Sequence, residues 1–165
     1  MRQAEALSVS AGAVVAALVA GGRFGPGPGH PRTTAWYARL RKPDFTPPGP
    51  VYGIAWSALG GLLIYSGSRL LMAKPKPGKR MAVALWTANV VGIALWPAVF
   101  FGRKDLPGSV ATAVGMSAVA AAAAAAAAKV DRKAGVASVP LIGWLAFASI
   151  LDAEIWRRNR GGRRR

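Results

Sequence analysis

The feature that most constrains this chain is the separation of its apolar residues from its basic ones. Hydrophobic residues make up 53% of the 165-residue sequence, yet the formal net charge is +16. The two values are compatible because long uncharged windows alternate with short basic loops along the sequence. A window of about 20 apolar residues is long enough to cross a bilayer as a helix. The pattern therefore predicts a multi-spanning, all-α integral membrane protein.

Five apolar windows occur along the chain and predict a five-transmembrane-helix bundle. Their approximate bounds are 6–24, 50–72, 81–101, 106–130 and 137–156. The first window is followed by a Gly/Pro-rich loop without a cleavage-site context, so it is interpreted as a retained helix rather than a signal peptide. Residues 1–165 are expected to form a single membrane domain, with residues 157–165 as a basic tail.

The distribution of lysine and arginine predicts the orientation of the bundle. With five spans the chain ends lie on opposite sides of the membrane. The side that holds the 25–49 loop and the C-terminal tail receives 13 basic residues, and the other side receives nine. The positive-inside rule places the loop and the C-terminus on the cytoplasmic side. The basic loops are expected to contact lipid headgroups, and no nucleic-acid-binding motif accompanies them.

The composition excludes several kinds of chemistry. The chain has no cysteine, so disulfides, thiol catalysis and cysteine–metal sites are excluded. Its single histidine, His30, lies in a Gly/Pro-rich loop, which argues against a histidine metal site or a Ser-His-Asp triad. The six acidic residues leave few candidates for paired-carboxylate catalysis. No catalytic residue, metal or required cofactor is predicted, and these features weigh against an enzyme.

Tryptophans inside the apolar windows are candidate ligand contacts. Trp56 and Trp144 lie deep in their windows, whereas Trp86 and Trp156 lie near window ends. The latter positions suit either anchoring at the membrane interface or filling of the core. Aromatic faces inside a bundle can stack on a flat apolar ligand such as a tetrapyrrole or a sterol.

Three polar side chains fall at membrane depth: Asn89, Asp152 and Glu154. An ionisable residue at this depth is costly and indicates a functional site by default. Glu154 lies four residues before Arg158, which predicts an ion pair at the helix end. Asp152 has no such partner nearby on its helix. Contact with a ligand and contact with headgroup water are equal alternatives for it.

Small residues recur every fourth position in the third window, at Ala84, Ala88 and Gly92. Such a stripe lets two helices pack backbone to backbone in lipid. It can serve a contact within the chain or a homodimer, and the residue types favour neither.

The loop before the second window carries a dense pattern of aromatic residues and prolines. It reads Trp36-Tyr37-x-x-Leu40-x-Lys42-Pro43-x-Phe45-x-Pro47-Pro48, followed by Trp56. Two later blocks are Trp96-Pro97 ahead of Phe100-Phe101-Gly102, and Pro140-Leu141-x-x-Trp144-x-x-Phe147-Ala148-x-x-Leu151 ahead of Trp156 and Asn159. In this order the blocks resemble the TspO/MBR family, the tryptophan-rich sensory proteins or translocator proteins.

The resemblance implies a five-helix bundle that binds porphyrin, haem or other hydrophobic ligands in a pocket closed by the loop between its first two helices. It also implies a role in tetrapyrrole sensing, transport or stress regulation, and a homodimer. The alternatives are light-dependent breakdown of porphyrin and an interaction protein with a vestigial pocket. The ligand-binding residues carried over or inferred are Trp36, Lys42, Pro43, Trp56, Asn89, Trp96, Trp144, Ala148, Leu151 and Asp152.

Within this set the resemblance gives different roles to different residues. Trp56 and Trp144 fall on the two tryptophans that hold the ligand. Trp36, Lys42 and Pro43 fall in the lid. Lys42 or the neighbouring Arg39 could pair with a porphyrin carboxylate.

The sequence also departs from the family's pattern. Asp152 replaces the usual asparagine, and Asn89 stands where glutamine is frequent. Gly60 replaces a common tyrosine of the second helix, and Ile93 and Ala94 replace an Asn-Trp pair. The tyrosine of the family's sterol motif is absent, which argues against specific recognition of cholesterol.

Overall fold

The computed structural model of the protein describes residues 1–163, and over these residues the chain is helical with no β-strand. This confirms the predicted all-α class. Arg164 and Arg165, the end of the predicted basic tail, lie outside the described residues. A π-helical turn, Ala98–Gly102, follows the fourth helix, and a 3₁₀ turn, Arg160–Arg163, follows the sixth. The α-helices are α1 (Gln3–Gly22), α2 (Pro31–Arg39), α3 (Gly49–Met72), α4 (Lys79–Pro97), α5 (Leu106–Val130) and α6 (Arg132–Asn159).

Four segments of residues 1–163 are long and apolar enough to cross a membrane: α1, α4 with its π-helical turn, α5 and α6. Helix α3 has 24 residues and would extend roughly 36 Å at 1.5 Å per residue. Its glycines, serines and tyrosines dilute its apolar character. The structure therefore supports four of the five predicted spans by length and composition.

Prolines and aspartates account for four of the six α-helix starts. Pro31 and Pro50 lie in the first turns of α2 and α3, where a missing N–H costs nothing. Asp105 and Asp131 cap α5 and α6. Each accepts a hydrogen bond from the backbone N–H three residues further on, at 3.0 and 2.9 Å. These caps define sharp turns between the long helices.

The long helices pack side by side in a ring. Helix α1 lies between α3 and α4, α6 lies between α3 and α5, and α4 packs against α5. Glycines allow close approach of the helices. A Cβ on Gly67 of α3 would overlap the indole of Trp86 on α4, and a Cβ on Gly135 of α6 would lie 2.7 Å from the Cα of Ala128 on α5.

Trp86 fills the core rather than anchoring the protein at an interface. It is only 6% exposed, and its Nε1 donates to the Leu63 carbonyl at 2.9 Å. Trp156, in contrast, is 36% exposed near the end of α6. The two positions that looked alike in the sequence therefore have different roles.

Serine hydroxyls link the helices inside the ring. Ser66 of α3 and Ser138 of α6 lie 3.0 Å apart, and both hydroxyls donate to the Ala134 carbonyl. Ser117 of α5 and Ser149 of α6 lie 3.2 Å apart. Interhelical hydrogen bonds of this kind contribute about 0.6 kcal/mol on average in a membrane protein. They fix how α6 is rotated against its neighbours.

Two basic residues tie the helices at the end of the bundle away from α2. The Nε and Nη2 of Arg69 donate to Asp131 Oδ2 at 3.0 and 2.5 Å. Lys79 Nζ donates to the carbonyls of Leu71 and Ala73 at the end of α3. The hydrogen bonds from Arg69 hold the pKa of Asp131 below its usual range.

The predicted stripe of small residues on α4 divides into two parts. Ala84 and Ala88 are exposed on the outside of the ring. Gly92 is buried, and a Cβ there would lie 2.8 Å from the Cε of Met116 on α5. Gly92 thus serves a contact within the chain, and a homodimer through this stripe stays a prediction.

Candidate ligand-binding site

The site begins where α2 lies across one end of the ring. Trp36 and Tyr37 on α2 approach Phe100 of the π-helical turn edge-on, with ring centroids 5.7 and 6.2 Å apart. Phe100 in turn stacks on Trp96 of α4, with centroids 4.9 Å apart. Edge-on and stacked pairs of this kind are the favoured aromatic geometries. They hold the short α2 helix on the bundle.

Beneath α2 the carboxylate of Asp152 takes a hydrogen bond from an indole. Trp96 Nε1 donates to Asp152 Oδ2 at 2.6 Å, and Asp152 is 3% exposed. None of the ion pairs within residues 1–163 involves it. Burial raises the pKa of the Tyr37 phenol above its ordinary value, and the Asp152 carboxylate raises it further. Asp152 is therefore buried beside aromatic groups and is not exposed at the protein surface.

The two predicted ligand tryptophans meet between α3 and α6. Trp56 and Trp144 have centroids 6.4 Å apart and planes at 81°. Tyr52 also meets Trp144 edge-on, at 5.9 Å, and Phe147 lies 5.6 Å from it. Phe45, from the segment between α2 and α3, covers Phe147 at 6.4 Å. The tryptophan pair thus lies in a continuous layer of aromatic rings.

Helical spacing explains how α6 presents its residues to this layer. Trp144, Ala148 and Asp152 follow one another at four-residue intervals, so they lie on one face of α6. Leu151, which is buried against Phe100, adjoins the same face. Ala148 is half-buried and adds little bulk between the rings and the carboxylate.

Asn89 is a buried polar residue without a full set of partners. It is 3% exposed, and its Oδ1 accepts no hydrogen bond within the described chain. It lies seven residues, or two helical turns, before Trp96 on α4, and therefore on the same face. Leaving a buried acceptor unpaired costs about 1–3 kcal/mol. A hydrogen-bond donor placed at Asn89 Oδ1 would remove this cost.

The lid residues Lys42 and Pro43 are engaged within the lid. Lys42 Nζ donates to the Tyr37 carbonyl at 2.8 Å and lies 4.1 Å from the centre of the Tyr37 ring. Pro43 is buried, and its carbonyl accepts hydrogen bonds from the N–H and the hydroxyl of Thr46. Lys42 thus holds the end of α2, and its pairing with a ligand carboxylate stays a prediction.

A side chain from the end of α6 fastens this lid to the bundle. Asn159 Oδ1 accepts from the Arg41 N–H at 3.1 Å, and Asn159 Nδ2 donates to the Arg41 carbonyl at 3.0 Å. Asn159 Nδ2 also donates to the Ile155 carbonyl at 2.7 Å. We call this pair of reciprocal bonds the Asn159 clasp.

Comparison with known sequences places this arrangement in a family. The sequence model of the TspO/MBR family matches residues 12–157, a range that contains the whole aromatic layer. This chain belongs to the TspO/MBR family. Together with its long apolar helices, membership makes it an integral membrane protein.

Relatives in this family come from both bacteria and animals. The chain is 34% identical to the translocator protein of Homo sapiens over 154 residues, which cover 87% of this chain and 86% of the human one. It is 30% identical to protein CrtK of Rhodobacter capsulatus, over 86% of this chain and 84% of that protein. It is 33% identical to the tryptophan-rich sensory protein of Cereibacter sphaeroides, over 75% and 77%.

Two aromatic residues of this TspO/MBR protein were not predicted as site residues, although they join its two halves. Tyr52 and Phe147 both contact Trp144 and both pack against the cluster around Phe100. Tyr52 lies four residues before Trp56, and Phe147 three after Trp144, so helical spacing alone could have indicated them.

The site is closed by its own aromatic rings. Because Trp56 and Trp144 are in contact, a flat ligand requires the two rings to move apart. Two open grooves, of about 640 and 620 Å³, lie elsewhere, and neither is lined by these tryptophans. The first lies along α2 and the second along α3 and α6.

Proposed function

We propose that this TspO/MBR protein is a membrane-embedded binding protein for porphyrin, haem or similar flat hydrophobic molecules, acting in tetrapyrrole sensing, transport or stress regulation. The contact between Trp56 and Trp144 carries the proposal. These indoles come from different helices and meet inside a layer of aromatic rings. If they separate, each offers a π face to a planar ligand. We call the gap between the separated rings the slot, and its shape suits a flat molecule.

Buried polar groups inside the bundle would orient the ligand. A pocket for an apolar molecule needs only a few placed polar groups. The unpaired Oδ1 of Asn89 suits a donor such as a pyrrole N–H. The Tyr52 hydroxyl, beside Trp144, and the Asp152 carboxylate, beside Trp96, offer further partners towards the lid. Binding would therefore satisfy a polar atom that the folded chain leaves unpaired.

The lid would control entry to the slot. The Asn159 clasp and the aromatic edges of α2 close the bundle end above Asp152. A ligand that carries carboxylates would reach Lys42 by replacing the carbonyl of Tyr37 as its partner. This exchange couples ligand binding to the end of α2.

We further propose that α3 is the fifth transmembrane span and that the lid faces the cytoplasm. Helix α3 packs between α1 and α6, both apolar enough to cross the membrane. A helix enclosed by such neighbours crosses with them, and its buried Gly60, Ser66 and Gly67 face protein, where small size matters. The excess of basic residues on the lid side supports the orientation.

A second candidate is an interaction protein whose pocket no longer opens. One observation favours it: the rings of the tryptophan pair already pack against each other and against Tyr52 and Phe147. On this account the aromatic layer is only a core.

A titration with protoporphyrin IX distinguishes the two candidates. We expect the porphyrin to quench the tryptophan fluorescence of the purified protein in detergent. The porphyrin absorbance should shift at the same time, and both signals should saturate at one porphyrin per chain. Empty micelles are the matched control for partitioning. A signal that rises linearly with porphyrin and parallels the micelle control would support the closed core and refute the binding protein.

A further inference from the structure

The groove along α2 lies outside the aromatic layer and has a composition of its own. Its volume is about 640 Å³, and it opens to the outside of the bundle. Its floor is apolar and is formed by Pro31, Ala35, Trp36 and Leu40. Trp36 thus contacts Phe100 in the site and also lines this groove.

Three cations border this apolar floor: Arg32, Arg39 and Lys104. The ion pairs found in residues 1–163 involve other arginines, so none of the three is neutralised by a described acid. The nearest acid in sequence, Asp105, uses its Oδ1 to accept the Gly108 N–H at the start of α5. The groove therefore presents positive charge beside apolar surface.

Lys104 is held at the groove by an unusual backbone. Its φ is 55°, a left-handed conformation that glycine adopts far more readily than lysine. The turn is fixed on both sides, since Arg103 N–H donates to the Ala98 carbonyl and Asp105 N–H to the Val99 carbonyl. In this conformation Lys104 Nζ lies 5.7 Å from the centre of the Trp36 ring. A strained residue of this kind indicates a functional constraint.

The position of the groove defines which molecules reach it. Helix α2 joins the end of α1 to the start of α3, so it lies at the rim of the bundle, where apolar spans give way to basic loops. Short amphipathic helices at such rims lie in the headgroup region of the bilayer. Molecules found there have a polar head and an apolar tail.

We propose that the α2 groove binds an anionic phospholipid. The headgroup phosphate would pair with Arg32, Arg39 and Lys104, since guanidinium and ammonium groups bind phosphate well. The first part of an acyl chain would cover the floor at Trp36 and Leu40. Charge selects the occupant, because a zwitterionic headgroup gains less from three unpaired cations.

Brominated lipids test this proposal, because Trp36 lies in the floor and bromine quenches tryptophan. Dibromo-phosphatidylglycerol and dibromo-phosphatidylcholine are titrated separately into the full-length protein in mixed micelles. We expect phosphatidylglycerol to quench saturably at about tenfold lower mole fraction than phosphatidylcholine. The Trp36→Phe variant should lose this component. Equal curves for the two lipids, or full quenching in Trp36→Phe, would overturn the proposal.

Charge variants separate the groove from general attraction to a basic surface. Replacing Arg32, Arg39 and Lys104 together by Gln should abolish the preference for phosphatidylglycerol. The matched control replaces Arg23, Arg41 and Arg103 by Gln, which removes the same charge from the same side, outside the groove. It should shift the curve by no more than about threefold. Equal loss in both variants would show surface attraction only and refute a specific groove.

Two further experiments test whether misfolding explains a lost lipid preference and whether the groove binds free phosphate instead of lipid. Lys104→Gly relieves the left-handed backbone, so it should melt no lower than wild type and yet weaken the lipid preference. A normal preference in Lys104→Gly would refute the role of Lys104. Inorganic phosphate should not displace the lipid, because it lacks an acyl chain; full displacement would assign the groove to free phosphate instead.

Discussion

Asp152 shows how the surroundings of one side chain decide its role. Its carboxylate is buried and accepts its hydrogen bond from Trp96, a partner 56 residues away on another helix. The sequence indicated that Asp152 was exceptional, because it is an acid at membrane depth with no local cation. Its neighbour Glu154 was predicted to pair with Arg158, and that ion pair is confirmed at 2.8 Å. Local pairs follow from helical spacing, whereas the Trp96 bond depends on how α4 and α6 pack.

Substitutions at Asp152 test the bond to Trp96. Asp152→Ala leaves the Trp96 N–H unpaired in a buried place and should cost about 1–3 kcal/mol. Asp152→Asn keeps an oxygen acceptor of the same shape without a charge to bury, so it should be no less stable than wild type. Thermal unfolding in detergent measures both. An Asp152→Ala protein with the same melting temperature as wild type would show that the bond does not contribute to stability.

The lowered pKa of Asp131 makes the folding stability depend on pH. Its folded pKa is below the ordinary value because Arg69 donates to it. The unfolded chain therefore binds the proton more tightly, and the stability from this pair is present above about pH 3.9 and lost as pH falls through the folded pKa. Asp131→Asn still caps α6 but loses the charge pair. Its melting temperature should fall less than that of wild type between about pH 5 and pH 2; parallel falls would contradict this.

At the scale of elements, the lid combines predictable and unpredictable features. Its prolines and glycines indicated a loop after the first helix, and within that stretch the structure adds the short helix α2, Pro31–Arg39. The Asn159 clasp joins residues 118 positions apart, so nothing local could reveal it. Lys42 is a local case, since its bond to the Tyr37 carbonyl joins residues only five positions apart, and its pairing with a ligand stays a prediction.

Loosening the clasp should make the lid more mobile. Asn159→Ala removes both bonds to Arg41 and should weaken closure by about 1 kcal/mol. Asn159→Asp keeps the acceptor for the Arg41 N–H and should have an intermediate effect. Tryptic cleavage after Arg39 and Arg41 measures opening and should be several-fold faster in Asn159→Ala. Identical cleavage rates in the three proteins would exclude a role of the clasp in closure.

At the scale of the whole molecule, the ring of helices follows from the separation of apolar and basic residues. That pattern predicts where the chain crosses a membrane but not which helices are neighbours. Helix α3 shows where this pattern stops being informative, since three of the residues that dilute its hydropathy, Gly60, Ser66 and Gly67, are buried inside the ring. Their role is packing, which a hydropathy pattern does not register.

Cysteine labelling tests the topology, because the native chain contains no cysteine. Gly29→Cys and Pro77→Cys lie on exposed turns before and after α3. If α3 crosses the membrane, a membrane-impermeant maleimide added to intact cells should label only one of them. With a cytoplasmic lid, that one is Pro77→Cys. Labelling of both from outside would show that α3 does not cross, and labelling of Gly29→Cys alone would reverse the orientation.

The proposed function depends on the indole rings of Trp56 and Trp144 moving apart to hold a porphyrin between them. The most direct measurement is the protoporphyrin IX dissociation constant of the variant with Trp56→Phe and Trp144→Phe together. The matched control, Trp156→Phe, changes an exposed tryptophan near the end of α6. We predict at least about tenfold weaker binding in the double variant, because stacking on two indoles is lost, with the control unchanged. An unchanged dissociation constant in a folded double variant would contradict the account.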